Sequence, residues 1–305
     1  MTTTQKALVL NEKFGQFNIQ EIEVYRPGPR EILIKYDFEI DAYPAILGCD
    51  IAGDVEAIGE GVSDFKLGDR VFSSSVILKD RGAFQQYVLV STLPVALSTG
   101  YSGLYAKLPH GLEIDLPDSR ASLGKYTGTP ILILGGASSL AKYSGFSYII
   151  TTASLKHADS LKEFGATHVL DRNLTSAELN KEIIKITDKP IELIYDTISI
   201  DSTQSVAFDV LALGGKVTFV LPPVIESTDW HIAHIHAGLR QPHNIPLLHD
   251  LYHDKAYELL VKGVIKPNRF EVLPNGLAGI VDGLARLEAD QVSRLKLVVH
   301  PQETP

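Results

Sequence analysis

The feature of the sequence that most constrains its fold is an apolar run, 130–134, that leads directly into Gly-Gly-Ala-Ser-Ser at 135–139. Further short apolar segments follow, and each is separated from the next by a stretch with helical patterning. Continuously apolar strands joined by helices are typical of a parallel sheet that is covered on both faces. We therefore expect strands at 130–134, 147–151, 168–170, 191–195 and 216–220, and helices at 155–164, 176–186 and 202–211.

The two ends of the chain favour β-structure instead. Runs rich in β-branched and apolar residues at 6–10, 18–24 and 31–35 are separated by Gly and Pro, which predicts short strands. Glycines within the strand-like segment 46–59 are typical of the bulges of a small, curved barrel. A long helical pattern covers 245–262, and the residues after it again have the pattern of short strands.

The composition narrows the classes of protein to which the chain can belong. With 305 residues, the chain is long enough for two domains. Its net charge of −9 and its scattered Lys and Arg residues are not typical of a nucleic-acid-binding protein. Its apolar runs are far shorter than the ~20 residues that a membrane helix needs, and its first residues lack the pattern of a signal peptide. We expect a cytoplasmic protein that binds neither nucleic acid nor a membrane.

Metal-binding patterns are weak in this sequence. Cys49 is the only cysteine, which excludes internal disulfides and the zinc sites that need several thiolates. Its simplest interpretation is a small buried apolar residue. Six late histidines are spread over a long loop and a helix, with no carboxylate at a motif spacing: His231, His234, His236, His243, His249 and His253. We predict no metal site.

The strand at 130–134 and the turn after it predict a binding site for the pyrophosphate of a dinucleotide. In dinucleotide-binding folds, glycines at this turn let the backbone approach the phosphates, and the next helix directs free N–H groups toward them. A plain turn is the alternative interpretation of Gly135 and Gly136. The alternation of strands and helices downstream favours the dinucleotide site.

The end of the second expected strand indicates which dinucleotide is bound. An acidic residue there would bind the ribose hydroxyls of NAD(H), but the chain has no acid from Thr151 to His157. The hydroxyl of Ser154 and the ammonium of Lys156 can instead hold a 2′-phosphate, which favours NADP(H). Ser154 can equally cap the following helix while Lys156 is solvated, and the two interpretations are compatible.

Five segments, none of them specific alone, together carry a family resemblance: 48–59, 66–72, 135–139, 164–171 and 194–197. They resemble the medium-chain dehydrogenase/reductases, in particular the zinc-independent branch of quinone oxidoreductases and fungal trans-acting enoyl reductases. The resemblance implies an α/β fold with two domains. Residues 1–98 plus 266–305 would form a GroES-like β-barrel catalytic domain, and residues 99–265 a central NADP-binding Rossmann domain with a doubly wound parallel sheet. Zinc-dependent relatives carry Gly-His-Glu where this chain has Gly-Cys-Asp at 48–50.

The resemblance also implies roles for individual residues. Leu221 and Pro222 are expected to border the nicotinamide, and Lys296 to touch it from the other domain. The full set of expected cofactor-binding residues is Thr99, Gly135, Gly136, Ala137, Ser138, Ser139, Ser154, Lys156, His157, Arg172, Leu221 and Lys296. The expected substrate-binding residues, near the start of a helix, are Ser98, Tyr101 and Ser102.

The activity implied by the resemblance is hydride transfer from NADP(H) to the activated C=C bond of an enone or an enoyl thioester. The cofactor carries this chemistry, while the protein orients it and stabilises the developing enolate charge. A small-molecule substrate, a polyketide synthase as candidate partner, and a monomeric or homodimeric state fit the same family. The catalytic proton donor is not identified, and Tyr36 and Tyr101 are the remaining candidates.

Three segments are shorter than the resemblance leads us to expect. Only 140–145 separates the Gly-rich turn from the next expected strand; six helical residues advance about 9 Å, roughly half a strand length. Residues 36–38 follow a strand where relatives carry a further strand and a loop of the active site, and 91–94 lacks a linking segment. The alternative to an active enzyme is therefore a catalytically impaired, non-enzymatic binding remnant of the family with an incomplete cofactor site.

Overall fold

The computed structural model of the protein describes residues 4–24, 43–58, 66–74, 82–86, 95–118, 122–135, 138–225, 229–235, 241–266, 269–293 and 295–305. The chain divides into two compact units, one comprising Met1–Val95 with Pro267–Pro305 and the other Ala96–Lys266. The division at 98/99 and 265/266 that we drew from the sequence remains a proposal. The expected strand at 31–35 and the residues Tyr36, Gly136, Ala137 and His236 lie outside the described residues.

The strands and helices are numbered in chain order. The described strands are β1 (Thr4–Leu10), β2 (Phe17–Glu23), β3 (Ala45–Ile46), β4 (Asp50–Asp54), β5 (Arg70–Ser74), β6 (Pro130–Leu134), β7 (Tyr148–Ala153), β8 (His168–Asp171), β9 (Leu193–Asp196), β10 (Lys216–Phe219), β11 (His231–His234), β12 (Phe270–Val272) and β13 (Lys296–Val298). The described α-helices are α1 (Val95–Tyr105), α2 (Ser139–Tyr143), α3 (Ala158–Glu163), α4 (Ser176–Ile186), α5 (Asp201–Val210), α6 (Ile245–Asp250), α7 (Ala256–Val261) and α8 (Gly279–Glu288). None of these helices combines the length and the apolar character needed to cross a bilayer.

Strands β6 to β11 form a six-stranded parallel sheet in the order β11-β10-β9-β6-β7-β8. The first strand, β6, lies at the centre. The chain moves outward through β7 and β8 on one side, and then through β9, β10 and β11 on the other. This is the strand order of a doubly wound dinucleotide-binding fold. The predicted parallel sheet is therefore confirmed, and β6 has the predicted bounds.

Both faces of this sheet are covered, which explains why β6 is apolar throughout. Ile131 and Ile133 belong to one core cluster, and Leu132 and Leu134 belong to another, because successive side chains of a strand point to opposite faces. The first cluster includes side chains from α1, and the second includes side chains from α4 and α5. The unit is therefore a three-layer α/β/α arrangement around its sheet.

The unit Met1–Val95 with Pro267–Pro305 contains three small described sheets, β2-β1-β3, β4-β5 and β12-β13. Leu8 of β1 packs against Leu277 and Ile280, at the start of α8. The sequence predicted only short strands after residue 262. That prediction was wrong for Gly279–Glu288, which form α8. Helix α8 is held by contacts distant in sequence: Arg286 makes two hydrogen bonds, 2.7 and 2.9 Å long, to the carboxylate of Glu271 in β12.

Two other element boundaries differ from the prediction. Helix α1 begins at Val95, earlier than the expected change of pattern near 99. The helical pattern at 245–262 is continuous in sequence, but in the structure a π-helical turn, Leu251–Lys255, separates α6 from α7. Strand β11, with its two histidines, was not predicted, since four residues at a sheet edge carry little pattern.

We expect the substitution Ile194→Ala to destabilise the protein strongly. Ile194 is completely buried in β9, and truncating such a side chain costs about 2–5 kcal/mol of unfolding free energy. Ile184 in α4 is 73% exposed, so the matched change Ile184→Ala should cost less than about 0.5 kcal/mol. Denaturant titration of both variants measures the difference. Equal losses would contradict the described core.

Candidate cofactor site

The direction in which the chain crosses the sheet reverses between β6 and β9. In open α/β sheets, ligands bind outside the carboxyl ends of the strands at such a switch point. Leu134, the last residue of β6, is paired in register with Asp196, the last residue of β9. The carboxyl edge at these two residues is therefore the candidate site.

Gly135 lies where three strands of this edge meet. Its N–H donates to the carbonyl of Thr152 in β7 over 3.2 Å. A Cβ atom on Gly135 would lie 2.3 Å from Oγ1 of Thr197, and its φ of +106° is one that side chains disfavour. Thr197 itself donates to the carbonyl of Leu134 from both its N–H, at 2.9 Å, and its hydroxyl, at 2.8 Å. A residue larger than glycine would therefore require Thr197 to shift.

The helix after this turn is truncated, as the sequence predicted. Helix α2 has only five residues. Ser138, just before it, is buried, and its hydroxyl donates to the carbonyl of Phe164 over 3.3 Å. Because Phe164 precedes β8, the start of α2 lies toward the amino ends of the strands rather than at their carboxyl edge. Ser139 is partly buried as the first residue of this helix.

A second group of expected residues lies beyond β7 and β8. Ala153 and Asp171 pair at the carboxyl ends of these strands, and the N–H of Arg172 donates to the carbonyl of Ala153 over 3.1 Å. The residues that follow Ala153 are Ser154, whose side chain makes no capping hydrogen bond, and the exposed Lys156. The capping interpretation of the Ser154 hydroxyl was therefore wrong.

The charges at this edge are available to a ligand. Lys156 and Arg172 are exposed, and neither side chain forms an ion pair with the described residues. His157 completes the 3₁₀ turn Leu155–His157 that leads into α3. Two cations therefore lie near the ends of β7 and β8, Lys156 in the turn after β7 and Arg172 directly after β8, together with one carboxylate, that of Asp171 at the end of β8.

The expected substrate-binding residues are buried in the unit Ala96–Lys266. Ser98, Tyr101 and Ser102 are 3%, 0% and 1% exposed. The hydroxyls of Ser98 and Tyr252 share a hydrogen bond of 2.8 Å, and the carbonyl of Thr99 accepts one from Tyr195 over 2.9 Å. Burial raises the pKa of the Tyr101 phenol, which makes it a weaker acid. A substrate role for these residues stays a prediction, and it would require their side chains to become exposed.

Sequence reasoning used the segment 194–197 for the family resemblance but missed the polar cluster at the end of β9. Asp196 is completely buried, and its Oδ1 accepts hydrogen bonds from the N–H groups of Ile198, at 2.9 Å, and Ser199, at 2.8 Å. Burial raises the pKa of the Asp196 carboxyl, and these N–H groups partly offset the effect. Leu221, expected beside the nicotinamide, is 40% exposed in the loop after β10. The signal that could have revealed this cluster is the Asp-Thr pair that directly follows an apolar run.

The remaining expected residue, Lys296, lies in the other unit. Its ammonium forms an ion pair with Asp50, which begins β4. Cys49, beside it, is exposed. The interpretation of Cys49 as a buried residue was therefore wrong.

Four of the described histidines form two ring stacks. The rings of His110 and His243 lie 3.5 Å apart, and those of His249 and His253 lie 5.1 Å apart. Within the described part of the chain, no group of three or more His, Cys, Asp or Glu residues could hold a metal ion. The prediction that the protein needs no metal remains a prediction.

Two known families match segments of the chain. Residues 18–107 match the alcohol dehydrogenase GroES-like domain, and residues 135–222 match the zinc-binding dehydrogenase family. The second segment begins at Gly135 and ends at Pro222. It therefore contains the carboxyl-edge loops of the candidate site.

Two fungal proteins are similar in sequence. The dehydrogenase azaJ of Aspergillus niger is 39% identical over 158 positions, which cover 42% of this chain and 44% of azaJ, so the chain spans less than half of that relative's length. The trans-enoyl reductase TOXD of Cochliobolus carbonum is 30% identical over 228 positions, which cover 63% of this chain and 73% of TOXD. Because 63% of 305 residues is about 192, the 228 aligned positions include places where TOXD has residues and this chain has none.

A solved structure with the same fold is the quinone oxidoreductase of Pseudomonas syringae pv. Tomato DC3000. It is 22% identical, with a TM-score of 0.68, and the match covers 97% of this chain and 99% of that protein. At this level of identity the likeness concerns the fold alone. It supports the two-part architecture of a GroES-like domain and a Rossmann-like parallel sheet.

We expect Gly135→Ala to destabilise the protein more than an ordinary glycine substitution. The new methyl group would meet the Thr197 hydroxyl at 2.3 Å, in addition to the backbone strain of about 1–3 kcal/mol at positive φ. Gly214 also has positive φ, but nothing lies within 4 Å of the position that a Cβ atom would take there, so Gly214→Ala is the matched control. Unfolding free energies measure both effects, and equal losses would show that the turn is not closely packed against β9.

Proposed function

This chain belongs to the medium-chain dehydrogenase/reductase family, in its enoyl reductase-like branch, and from this premise we propose its activity. We propose that it is an NADP(H)-dependent, zinc-independent oxidoreductase that transfers hydride to the activated C=C bond of an enone or an enoyl thioester. The observation that carries the proposal is the pair of exposed cations, Lys156 and Arg172, beyond a β7 strand that ends without an acidic residue.

The choice of NADP(H) rests on electrostatics at this edge. A 2′-phosphate carries negative charge, and hydrogen bonds between ionised groups are roughly twice as strong as neutral ones. The ammonium of Lys156 and the guanidinium of Arg172 supply the complementary charge, and the hydroxyl of Ser154 supplies a further donor. His157 lies next to them in the chain. An acidic residue, which would bind the ribose of NAD(H), is lacking from β7 through His157.

The other residues proposed for the cofactor position its remaining parts. Gly135 lets the backbone come close to the pyrophosphate, with Ser138 and Ser139 following it. Leu221 and Pro222 border the nicotinamide, and Thr99 and Lys296 complete the proposed set. When bound, NADPH supplies the hydride. The protein's contribution is to hold the cofactor and the substrate in one orientation, which is where much of the rate of such reactions originates.

The remaining parts of the proposal follow the family. Residues 1–98 plus 266–305 would be the catalytic domain, and residues 99–265 the NADP-binding domain. The trans-enoyl reductase name of TOXD supports a polyketide synthase as partner, with an enoyl thioester as the small-molecule substrate. We place the protein in the cytoplasm, as a monomer or a homodimer.

A second candidate function is supported by the short α2. The chain would then be a catalytically impaired binding protein of the same family, with an incomplete cofactor site. The start of α2 lies toward the amino ends of the strands, and the hydroxyl of Ser138 is bonded to Phe164. The positions that TOXD has and this chain lacks agree with an internal shortening. The affinity for NADPH and the rate of its oxidation therefore need to be measured separately.

We expect the protein to bind NADPH more tightly than NADH. The substitution Lys156→Ala should lower the affinity for NADPH and leave the affinity for NADH unchanged. The lost charge-assisted contact is worth roughly 1.5–3 kcal/mol. Lys189 is also exposed but precedes β9, at the opposite edge of the sheet, so Lys189→Ala is a control with the same loss of charge. Fluorescence titration with both cofactors measures the affinities. Equal binding of NADH and NADPH, or an equal loss for both in Lys156→Ala, would refute the assignment.

We expect the affinity for NADPH to be at least about tenfold lower than in relatives with a full-length helix, a difference of ~1.4 kcal/mol. Free N–H groups at a helix start, together with the helix dipole, supply much of the anion binding, and the start of α2 is displaced. Inserting a Gly-containing, helix-forming segment of about seven residues, two turns, after Ser139 should restore binding.

The control is an insertion of the same length that consists of Gly and Ser and forms no helix. If it restores binding equally, chain length rather than the helix is limiting. Binding of NADPH by the unaltered chain with a dissociation constant of about 1 μM or below would show that the cofactor site is intact.

A further inference from the structure

The loop after β10 is fixed by side chains that come from the loop after β9 and from α5. Gln204 of α5 is 1% exposed. Its side-chain amide donates to the carbonyls of Ser199, at 2.9 Å, and Pro222, at 3.0 Å, and its Oε1 accepts from the N–H of Val224 at 2.8 Å. Two carbonyls and one N–H surround the amide, so only this orientation satisfies all three partners.

Ser199 makes the second connection. Its hydroxyl donates to the carbonyl of Asp196 and accepts from the N–H of Val220, each over 2.8 Å. Ser199 has a φ of +57°, a conformation that costs energy for a residue other than glycine. The carboxylate of Asp196 holds it there by accepting its N–H at 2.8 Å. The strained residue is therefore maintained by the buried end of β9.

These contacts fix both chain neighbours of Leu221. Val220, on one side, is bonded to Ser199, and Pro222, on the other, is bonded to Gln204. Leu221 and Pro222 themselves line an open depression of about 570 Å³ together with Ile200 and other residues of the α5 start. A buried three-way hydrogen-bonded glutamine thus determines where the exposed Leu221 stands.

We infer that Gln204 is a positioning residue for the nicotinamide end of the cofactor. The inference rests on the proposed function, because Leu221 and Pro222 are the residues proposed to border the nicotinamide. Gln204 also lines the depression, but it is only 1% exposed, so it acts through Leu221 and Pro222. Its loss should therefore disturb the orientation of the reacting ring while leaving the adenosine end, bound at Lys156 and Arg172, unchanged.

The test compares Gln204→Ala with the control Ser205→Ala. Ser205 lies on the same helix, and its exposed hydroxyl bonds, within the described part of the chain, only to the carbonyl of Asp201. Three quantities are measured: hydrogen exchange of the Val224 amide in the ligand-free protein, the affinity for 2′,5′-ADP, which has no nicotinamide, and the steady-state parameters with NADPH and an enone. We expect Gln204→Ala to speed the exchange and to lower kcat by roughly tenfold or more, because misplacement of a reacting group costs this much. The affinity for 2′,5′-ADP should stay within about twofold, since the two sites share no contact.

Ser199→Gly provides a second variant in case Gln204→Ala folds poorly. Glycine accepts the positive φ, so only the hydroxyl bonds are lost, and the Val220 amide should exchange faster with the same drop in kcat. An unchanged kcat in a folded variant, or a loss of 2′,5′-ADP affinity that parallels the loss of kcat, overturns the positioning role. If the unaltered protein binds neither 2′,5′-ADP nor NADPH, the proposed function fails, and the inference fails with it.

Discussion

The parallel pairing of β6 with β9 is the constraint on which the dinucleotide-binding unit depends. Because β6 is covered on both faces, it consists of apolar residues only, and polar chemistry can begin only where the strand ends. Strand β9 likewise ends in a carboxyl group, that of Asp196. The pairing brings Gly135 and Thr197 so close that no side chain fits between them. The turn at Gly135 and the loops after β7, β8 and β10, which carry most of the proposed cofactor contacts, all follow the carboxyl ends of strands of this sheet.

The sheet could be predicted from the sequence because its signals are local. Continuous apolar runs such as 130–134 and the amphipathic spacing of 176–186 fix both the type and the bounds of an element, and the structure has α4 with the predicted bounds. The truncation of α2 could also be predicted, because the length of chain between two strands limits how much helix can form. The absence of an acidic residue directly after β7 could be recognised from the sequence alone.

The features that escaped prediction depend on partners distant in sequence. Helix α8 is stabilised by Leu8 and Glu271, although the helical spacing of Ile280, Leu284 and Leu287 was already a local signal for it. The burial of Tyr101 follows from helices that pack on it from more than a hundred residues away, such as α6, which ends at Asp250. The role proposed for Gln204 could not be predicted either, because a single glutamine in a helix gives no sequence signal. Two of its partners, Pro222 and Val224, lie in the loop after β10.

In the proposed site, different strand ends hold different parts of the cofactor, so binding and turnover can be separated. The proposed contacts of the adenosine end are Lys156, in the turn after β7, and Arg172, directly after β8, and neither belongs to α2. The proposed pyrophosphate contacts are the turn at Gly135 and the start of the five-residue helix α2. The proposed nicotinamide contacts lie in the loop that Gln204 and Ser199 hold. Contacts at separate sites contribute nearly independently to affinity, whereas hydride transfer requires the reacting ring to be correctly oriented. With these proposed contacts, shortening α2 should lower the affinity for the cofactor first, while the ring should stay oriented for as long as the loop after β10 stays fixed.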